Sequence, residues 1–181
     1  IPQFGVVAQN GSQTDYSEVN IVTNIDPSLD IESSGGIGAL TVNADLTGDV
    51  SVGDTSVDSI GTAGDVVVTG TLGGVLHAAS IGNKALGHTV TLGGMEAGAR
   101  LYAETGDLTD VTVESGINLA QSPTDPLFEA NGSIGALEIQ GDLVAPEDSE
   151  LIEATTGNIS SVTVTGILDV PYSDGSGAMA I

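Results

Sequence analysis

Clustered carboxylates are the residues of this 181-residue sequence whose types and spacing best suit chemistry. Aspartate and glutamate oxygens are hard ligands of the kind that Ca²⁺ prefers. The sequence therefore indicates two candidate calcium clusters, made of Asp45, Asp49 and Asp54 and of Glu147, Asp148, Glu150 and Glu153. Neither cluster has EF-hand spacing, and a solvated acidic surface is the alternative interpretation of such charge runs.

The remaining polar residues give little support to catalysis. His77 and His88 are expected to lie in separate structural repeats, so a shared metal site is not predicted. No serine has a surrounding motif that would complete a Ser-His-Asp triad. Lys84 and Arg100 are the only strong cations in the sequence. We therefore expect a non-enzymatic protein that has no catalytic residue and no cofactor other than the candidate Ca²⁺.

The charge balance argues against two large classes of partner. Twenty-five acidic residues against two basic ones give a formal net charge of −23. Such a surface repels nucleic-acid phosphates and anionic lipids. Self-repulsion also opposes a compact fold unless salt screens it, cations bind or acid protonates the carboxylates. A saline habitat, and hence a halophilic protein, is the simplest interpretation.

The elements that would position these residues come from an internal repeat. The repeat combines Ile-Gly-x-Leu, a short alternating strand and Gly-Asp-Leu, and it is clearest at 134–143 and 37–42. Weaker copies begin at Ile60, Ile81, Leu108 and Ile159. The successive intervals of 23, 21, 27, 26 and 25 residues are typical of solenoids.

Each copy contains apolar residues at alternate positions, which indicates a strand with one buried face. These pairs are Leu40/Val42, Val66/Val68, Val90/Leu92, Val111/Val113, Leu137/Ile139 and Val162/Val164. Second strands are predicted within 46–52, 72–78, 99–103, 117–120, 150–154 and 167–170. A third short stretch leads into the next copy.

Three strands with Gly, Asp and Asn at the corners make one triangular coil. The sequence therefore predicts an all-β, right-handed parallel β-helix of about six to seven coils, stacked at about 4.8 Å. Residues 1–181 would form one domain, with 1–33 as an extended capping or assembly segment and 171–181 as a tail. An antiparallel sandwich of jelly-roll type is the alternative, because it is also rich in glycine and strands.

The phrase Ile-Gly-x-Leu-x-Val-x-Gly-Asp-Leu resembles the parallel β-helix repeats of large prokaryotic cell-surface proteins and adhesins. The resemblance covers about residues 34–170, and coils between 81 and 130 depart from it through longer inserts. It implies a parallel β-helix and a surface location. It carries no catalytic residue to this chain.

Further features favour an extracellular or cell-surface location. The start at Ile1, with no initiator Met, is typical of a processed end. Asn10, Asn131 and Asn158 each begin an Asn-x-Ser sequon and are candidate glycosylation sites. No apolar run approaches the length of a membrane span, so insertion into a membrane is not expected.

A column of threonines is predicted on one outer face of the solenoid. Its members are Thr41, Thr91, Thr112 and Thr163, with Thr69 and Thr165 beside them. Flat threonine arrays are how solenoid ice-binding proteins work. Val67, Glu114 and Glu138 interrupt this array, so β-branched residues on an exposed strand are the alternative interpretation.

The ends of a solenoid expose unpaired strand edges that must be capped or used. We predict that copies of the protein join head to tail by coil stacking or strand addition, with Phe4, Val6, Val7 and Ile181 as candidate assembly residues. Such a contact does not close and propagates into a fibre. The expected function is a subunit of an extracellular filament or surface layer. The alternatives are an adhesin or stalk module, an ice- or ligand-binding solenoid and, last, a polysaccharide-active enzyme.

Overall fold

The computed structural model describes residues 19–21, 30–33, 35–146 and 149–170, the first range by its backbone alone. Within these ranges the chain forms sixteen strands and one 3-10 turn, Lys84–Leu86. Every strand pairing is parallel. The predicted parallel β-helix is therefore confirmed, and the antiparallel jelly roll is wrong for these residues.

The strands form three sheets along the sides of the solenoid. The first sheet contains β1 (Val19–Ile21), β3 (Leu40–Val42), β5 (Val66–Leu72), β7 (Val90–Met95), β9 (Val111–Val113), β12 (Ile134–Ile139) and β15 (Ile159–Val164). The second contains β2 (Ile31–Ser33), β4 (Val50–Val52), β6 (Val75–Ala78), β8 (Arg100–Ala103), β11 (Phe128–Ala130) and β14 (Ile152–Ala154). The third contains β10 (Ile117–Asn118), β13 (Leu143–Val144) and β16 (Leu168–Asp169).

The repeat starts that were identified in the sequence lie one above another. Parallel bridges and strand pairing join Ile37, Ile60, Ile81, Leu108, Ile134 and Ile159 in order. These six positions span five full turns. The described residues include part of a further coil before Ile37 and part of the coil after Ile159. The sequence predicts six to seven coils, whereas the described residues contain seven strands of the first sheet and five full turns between repeat starts.

The interior is filled by the alternating apolar residues of the strands. Leu40, Val66, Val90, Val111 and Leu137 are in register and at most 1% exposed. A second column contains Val42, Val68, Leu92, Val113 and Ile139. Burial of such side chains is the main favourable contribution to folding. Each coil therefore depends on its neighbours for its hydrophobic core.

Two of the predicted second strands are in the wrong sheet. The ranges 117–120 and 167–170 contain β10 and β16, which belong to the third sheet. The second-sheet strand of the 108–134 coil is instead β11. The cause is an insert, because the chain crosses to the second sheet in four residues between Leu72 and Leu76 but in eleven between Ile117 and Phe128. The spacing of the repeats indicates longer inserts between 81 and 130, but it does not show which strand of a coil an insert precedes.

Glycines with positive φ turn the chain at two kinds of corner. Gly82, at φ +78°, follows the repeat position Ile81, and a Cβ at this residue would lie 2.0 Å from Thr109 Cγ2 in the next coil. Gly87, at φ +75°, ends the 3-10 turn and has open space where its Cβ would be.

The two glycines provide a matched pair of substitutions. Gly87→Ala should cost about 1 kcal/mol of unfolding free energy, because only the left-handed backbone is strained. Gly82→Ala should cost about 3 kcal/mol, because the new methyl group also displaces Thr109. Denaturant unfolding monitored by circular dichroism measures both. Equal losses for the two variants would contradict the close packing of coils at Gly82.

Candidate functional site

Aspartates at the corners connect successive coils. In seven of those within the described residues, the carboxylate Oδ1 accepts a backbone N–H of the following coil at 2.7–2.9 Å. They are Asp30, Asp45, Asp49, Asp65, Asp107, Asp110 and Asp142. The strand ladder is interrupted where the chain turns, and a carboxylate supplies the acceptor that the amide needs. We call this set the corner aspartates.

The first candidate calcium cluster is not assembled in the structure. Asp45 and Asp49 are corner aspartates, and their Oδ1 atoms accept from the amides of Thr71 and Val75. Asp54 accepts instead from the hydroxyl and the amide of Ser56 in a local turn, and these two hydrogen bonds lower the pKa of Asp54. Among the described residues, no three histidine, aspartate or glutamate side chains could hold one metal ion.

The second candidate calcium cluster is described only in part. Glu147 and Asp148 lie outside the described residues. Glu150 is exposed, whereas Glu153 is half-buried in β14 opposite Glu129 of β11. Calcium binding by this cluster therefore stays a prediction.

The threonine column has the predicted register. Thr41, Val67, Thr91, Thr112, Glu138 and Thr163 are successive partners across the first sheet. Five of the six are half-buried and Thr163 is exposed. Val67 and Glu138 interrupt the hydroxyl array within the ladder itself.

The predicted glycosylation and assembly residues are only partly within the described ranges. Asn131 is half-buried at a corner, and its carbonyl accepts from Thr156. Asn158 is exposed and thus the more accessible of the two sequons. Asn10 lies outside the described residues, as do the assembly residues Phe4, Val6, Val7 and Ile181.

A polar cluster on the outer face of the second sheet brings together residues that the sequence did not associate. We call it the second-sheet cluster and define it as His77, Arg100, Tyr102, Glu104 and Glu129. The rings of His77 and Tyr102 are stacked in successive coils, with centroids 4.7 Å apart and planes 16° apart. His77 Nε2 is 3.2 Å from Glu104 Oε2. The two atoms are not aligned for a hydrogen bond, so this contact is an ion pair only when the histidine is protonated.

Arg100 makes several of the contacts in and around this cluster. Its Nη2 contacts Glu129 Oε2 in the next coil, and its Cζ lies 4.1 Å from the centroid of the Tyr102 ring. Its Nη1 is 3.9 Å from Asp125 Oδ1. The ion pair and the cation–π contact hold the guanidinium in one orientation.

The phenol of Tyr102 is kept protonated by its surroundings. Burial raises its pKa, and the carboxylates of Glu129 and Glu104 raise it further, against the opposite effect of Arg100. A phenol with a raised pKa is a weaker acid than free tyrosine and stays protonated at neutral pH. The second-sheet cluster therefore combines a protonated phenol with a guanidinium whose orientation is fixed by two contacts.

His88 is remote in the chain from this cluster. Its Nδ1 is 3.3 Å from the carbonyl oxygen of Gly61 in the preceding coil. The two histidines thus contact different partners in different coils.

The second cation, Lys84, donates from Nζ to Ser160 Oγ at 3.4 Å, three repeat starts further along the axis.

The last described coil leaves its apolar side chains partly uncovered. Val162 and Val164 continue the two inner columns but are half-exposed, in contrast to their buried equivalents. Ile152, Ala154 and Ile159 are also half-exposed. Ile167 and Leu168 are 64% and 42% exposed. We call this surface, which covers 152–168, the open end.

No protein-family model, curated protein or solved structure matches the chain. Among the described residues, no helix has the length and apolar character that crossing a membrane requires.

Substitution of Asp49 distinguishes a corner aspartate from a calcium ligand. Asp49→Asn keeps an oxygen acceptor for the Val75 amide and should leave the unfolding temperature nearly unchanged. Asp49→Ala leaves that amide unpaired and should cost about 1 kcal/mol. Thermal unfolding with and without Ca²⁺ is the measurement. A calcium-dependent stabilisation that Asp49→Asn abolishes would instead indicate a metal ligand.

Tyr102 should ionise at a higher pH than tyrosine in an unfolded chain, whose pKa is about 10. Because the folded-state pKa is raised, the stability that this phenol contributes is complete below about pH 10 and is lost as the pH rises through the folded value. An alkaline titration followed by tyrosinate absorbance measures it. Tyr102→Phe should remove the component with the raised pKa, and a titration curve that keeps this component would contradict the assignment.

Proposed function

We propose that the protein is a non-enzymatic subunit of an extracellular filament or surface layer, whose copies stack head to tail. The observation that carries the proposal is the open end. There the apolar columns of the solenoid reach Val162 and Val164 without a further coil above them among the described residues.

A second copy of the chain is the partner that the open end fits best. Each inner coil is covered by a neighbour with the same alternating pattern at the same register. Val162 pairs with Leu137 on one side, and its equivalents Leu40 to Leu137 are each buried by a coil on both sides. A coil of another copy offers this spacing of backbone groups and apolar side chains.

Charge is the force that opposes this contact. Glu150, Glu153 and Asp169 lie at or beside the open end, and Asp30 and Glu32 lie in the first coil whose side chains are described. Of the two strong cations, Arg100 belongs to the middle of the chain, whereas the ammonium of Lys84 reaches Ser160 at the open end, where the carboxylates still outnumber it. Two ends of the same sign repel unless salt shortens the range of the interaction, from about 10 Å at 0.1 M to about 3 Å at 1 M. The proposal therefore includes salt-dependent assembly, which agrees with a saline habitat.

The open end also favours a second candidate function, an adhesin or stalk module. In this case the coil that covers Val162 and Val164 would belong to the same polypeptide or to another surface protein. Copies of the chain would then remain separate at every salt concentration, which distinguishes this candidate from the filament.

Assembly should depend on salt and on the open end. Negative-stain electron microscopy and sedimentation velocity should show short particles at low salt and fibres at high salt. Val164→Asp places a charge on the open end and should prevent fibres. Val57→Asp is the matched control, because Val57 is 65% exposed and lies in a turn away from this end. Circular dichroism verifies that both variants fold.

Two outcomes would overturn the filament. One is a monodisperse wild-type protein in all salts, which favours the adhesin module. The other is unchanged polymerisation of a folded Val164→Asp variant. Deletion of residues 1–10 separates the two routes of assembly, because strand addition requires an N-terminal strand whereas coil stacking at the open end does not.

A further inference from the structure

A cleft lies at the corner where the chain enters the second sheet. Residues 97–100 form one side, 121–125 form the other, and Val75 contributes from the preceding coil. The cleft has a volume of about 310 Å³, at the lower end of the range for small-molecule sites. We call it the insert cleft, because its second side is the insert that precedes β11.

The insert is fixed at both of its ends. Leu119 and Leu127 are buried in the core, at 3% and 0% exposure. Ser122 accepts a hydrogen bond from the hydroxyl of Ser149, a buried residue of the next coil, at 3.2 Å. The wall is therefore held in place before any ligand binds, which lowers the entropic cost of binding.

A guanidinium and a carboxylate lie side by side in the lining of this cleft. Arg100 Nη1 and Asp125 Oδ1 are 3.9 Å apart, which is too far for a hydrogen bond. Glu129 and Tyr102 already orient the guanidinium. The separation leaves an N–H donor and a carboxylate acceptor side by side, and each of them can bind one of two neighbouring hydroxyl groups.

The other lining residues suit a molecule with both C–H and O–H surfaces. Val75, Ala97, Ala99 and Pro123 are apolar, whereas Gln121 and Thr124 are exposed polar residues at the rim. Space above Gly98 is open, since a Cβ at this position would contact nothing within 4 Å. The cleft thus has an apolar side for a sugar ring and polar groups for its hydroxyls.

The charge of the site selects against ionic ligands. Asp125 and Glu129 already balance Arg100, and the whole chain carries −23, so an anion is repelled. A cation would be repelled by the guanidinium of Arg100. We propose that the insert cleft binds a neutral carbohydrate, with one of two neighbouring hydroxyls on the guanidinium of Arg100 and the other on the carboxylate of Asp125. This inference is independent of the assembly proposed above.

The test is an amide ¹H–¹⁵N NMR titration of the protein with methyl glucoside, methyl mannoside and methyl galactoside. At least one of them should shift the amides of Gly98, Ala99, Gln121 and Thr124, with a dissociation constant on the order of 1 mM. Methyl glucuronide, which adds a carboxylate to the same ring, should bind more weakly than methyl glucoside. The absence of shifts with all three neutral sugars, or equal binding of the glucuronide, would overturn the proposal.

Substitution of Asp125 tests the hydroxyl contact directly. Its side chain is 58% exposed, so Asp125→Ala should remain folded, as the dispersion of the same spectra will show. Loss of a hydrogen bond to a charged group should weaken binding at least about tenfold. Asp54→Ala removes an equivalent exposed carboxylate from a turn on another coil and should bind like the wild type. Unchanged affinity of Asp125→Ala would place the sugar elsewhere.

Discussion

Hydrogen bonds along the solenoid axis are the interaction on which the rest of the structure depends. Each coil uses the backbone of its neighbours as the partner for its own N–H and C=O groups, and the apolar columns follow because the strands are in register. The corners are the weak points of this arrangement, since the chain turns away from the ladder. Carboxylates of the corner aspartates restore an acceptor there. Part of the acidity of the chain is therefore structural.

The sequence predicts the structure well at positions where burial alone determines the residue type. The positions of Ile37 to Ile159 and the alternating pairs could be predicted, because burial selects apolar residues directly. The second strands were partly misassigned, because inserts change the spacing without changing the pattern. The sequence makes Asp45 and Asp49 candidate calcium ligands, because it does not reveal that their Oδ1 atoms accept from backbone amides 26 residues away. Clusters of carboxylates in a solenoid thus have a structural explanation that spacing alone does not suggest.

The second-sheet cluster and the insert cleft show how a solenoid of regular coils acquires local sites that the other described coils lack. The sequence identifies Arg100 as one of two strong cations, but it does not identify the residues that contact it. Glu129 reaches Arg100 because neighbouring coils are in register, and Asp125 reaches it because it lies on the insert, while Tyr102 contacts it within β8. The regular coils position the guanidinium, and the insert that precedes β11 provides the other side of the cleft. We therefore expect ligand binding where an insert interrupts the repeat. The coils that keep the repeat are expected to serve only as the scaffold.

The contact between Lys84 and Ser160 has a mechanical consequence. A stack in which each coil touches only its neighbours unwinds from an end, one coil after another, when it is pulled. The hydrogen bond from Lys84 Nζ to Ser160 Oγ ties coils that are three steps apart. Before the last described coil can peel away, this tie must break, so force on that end is shared with the middle of the rod. One of the two strong cations in the sequence thus connects distant coils along the axis.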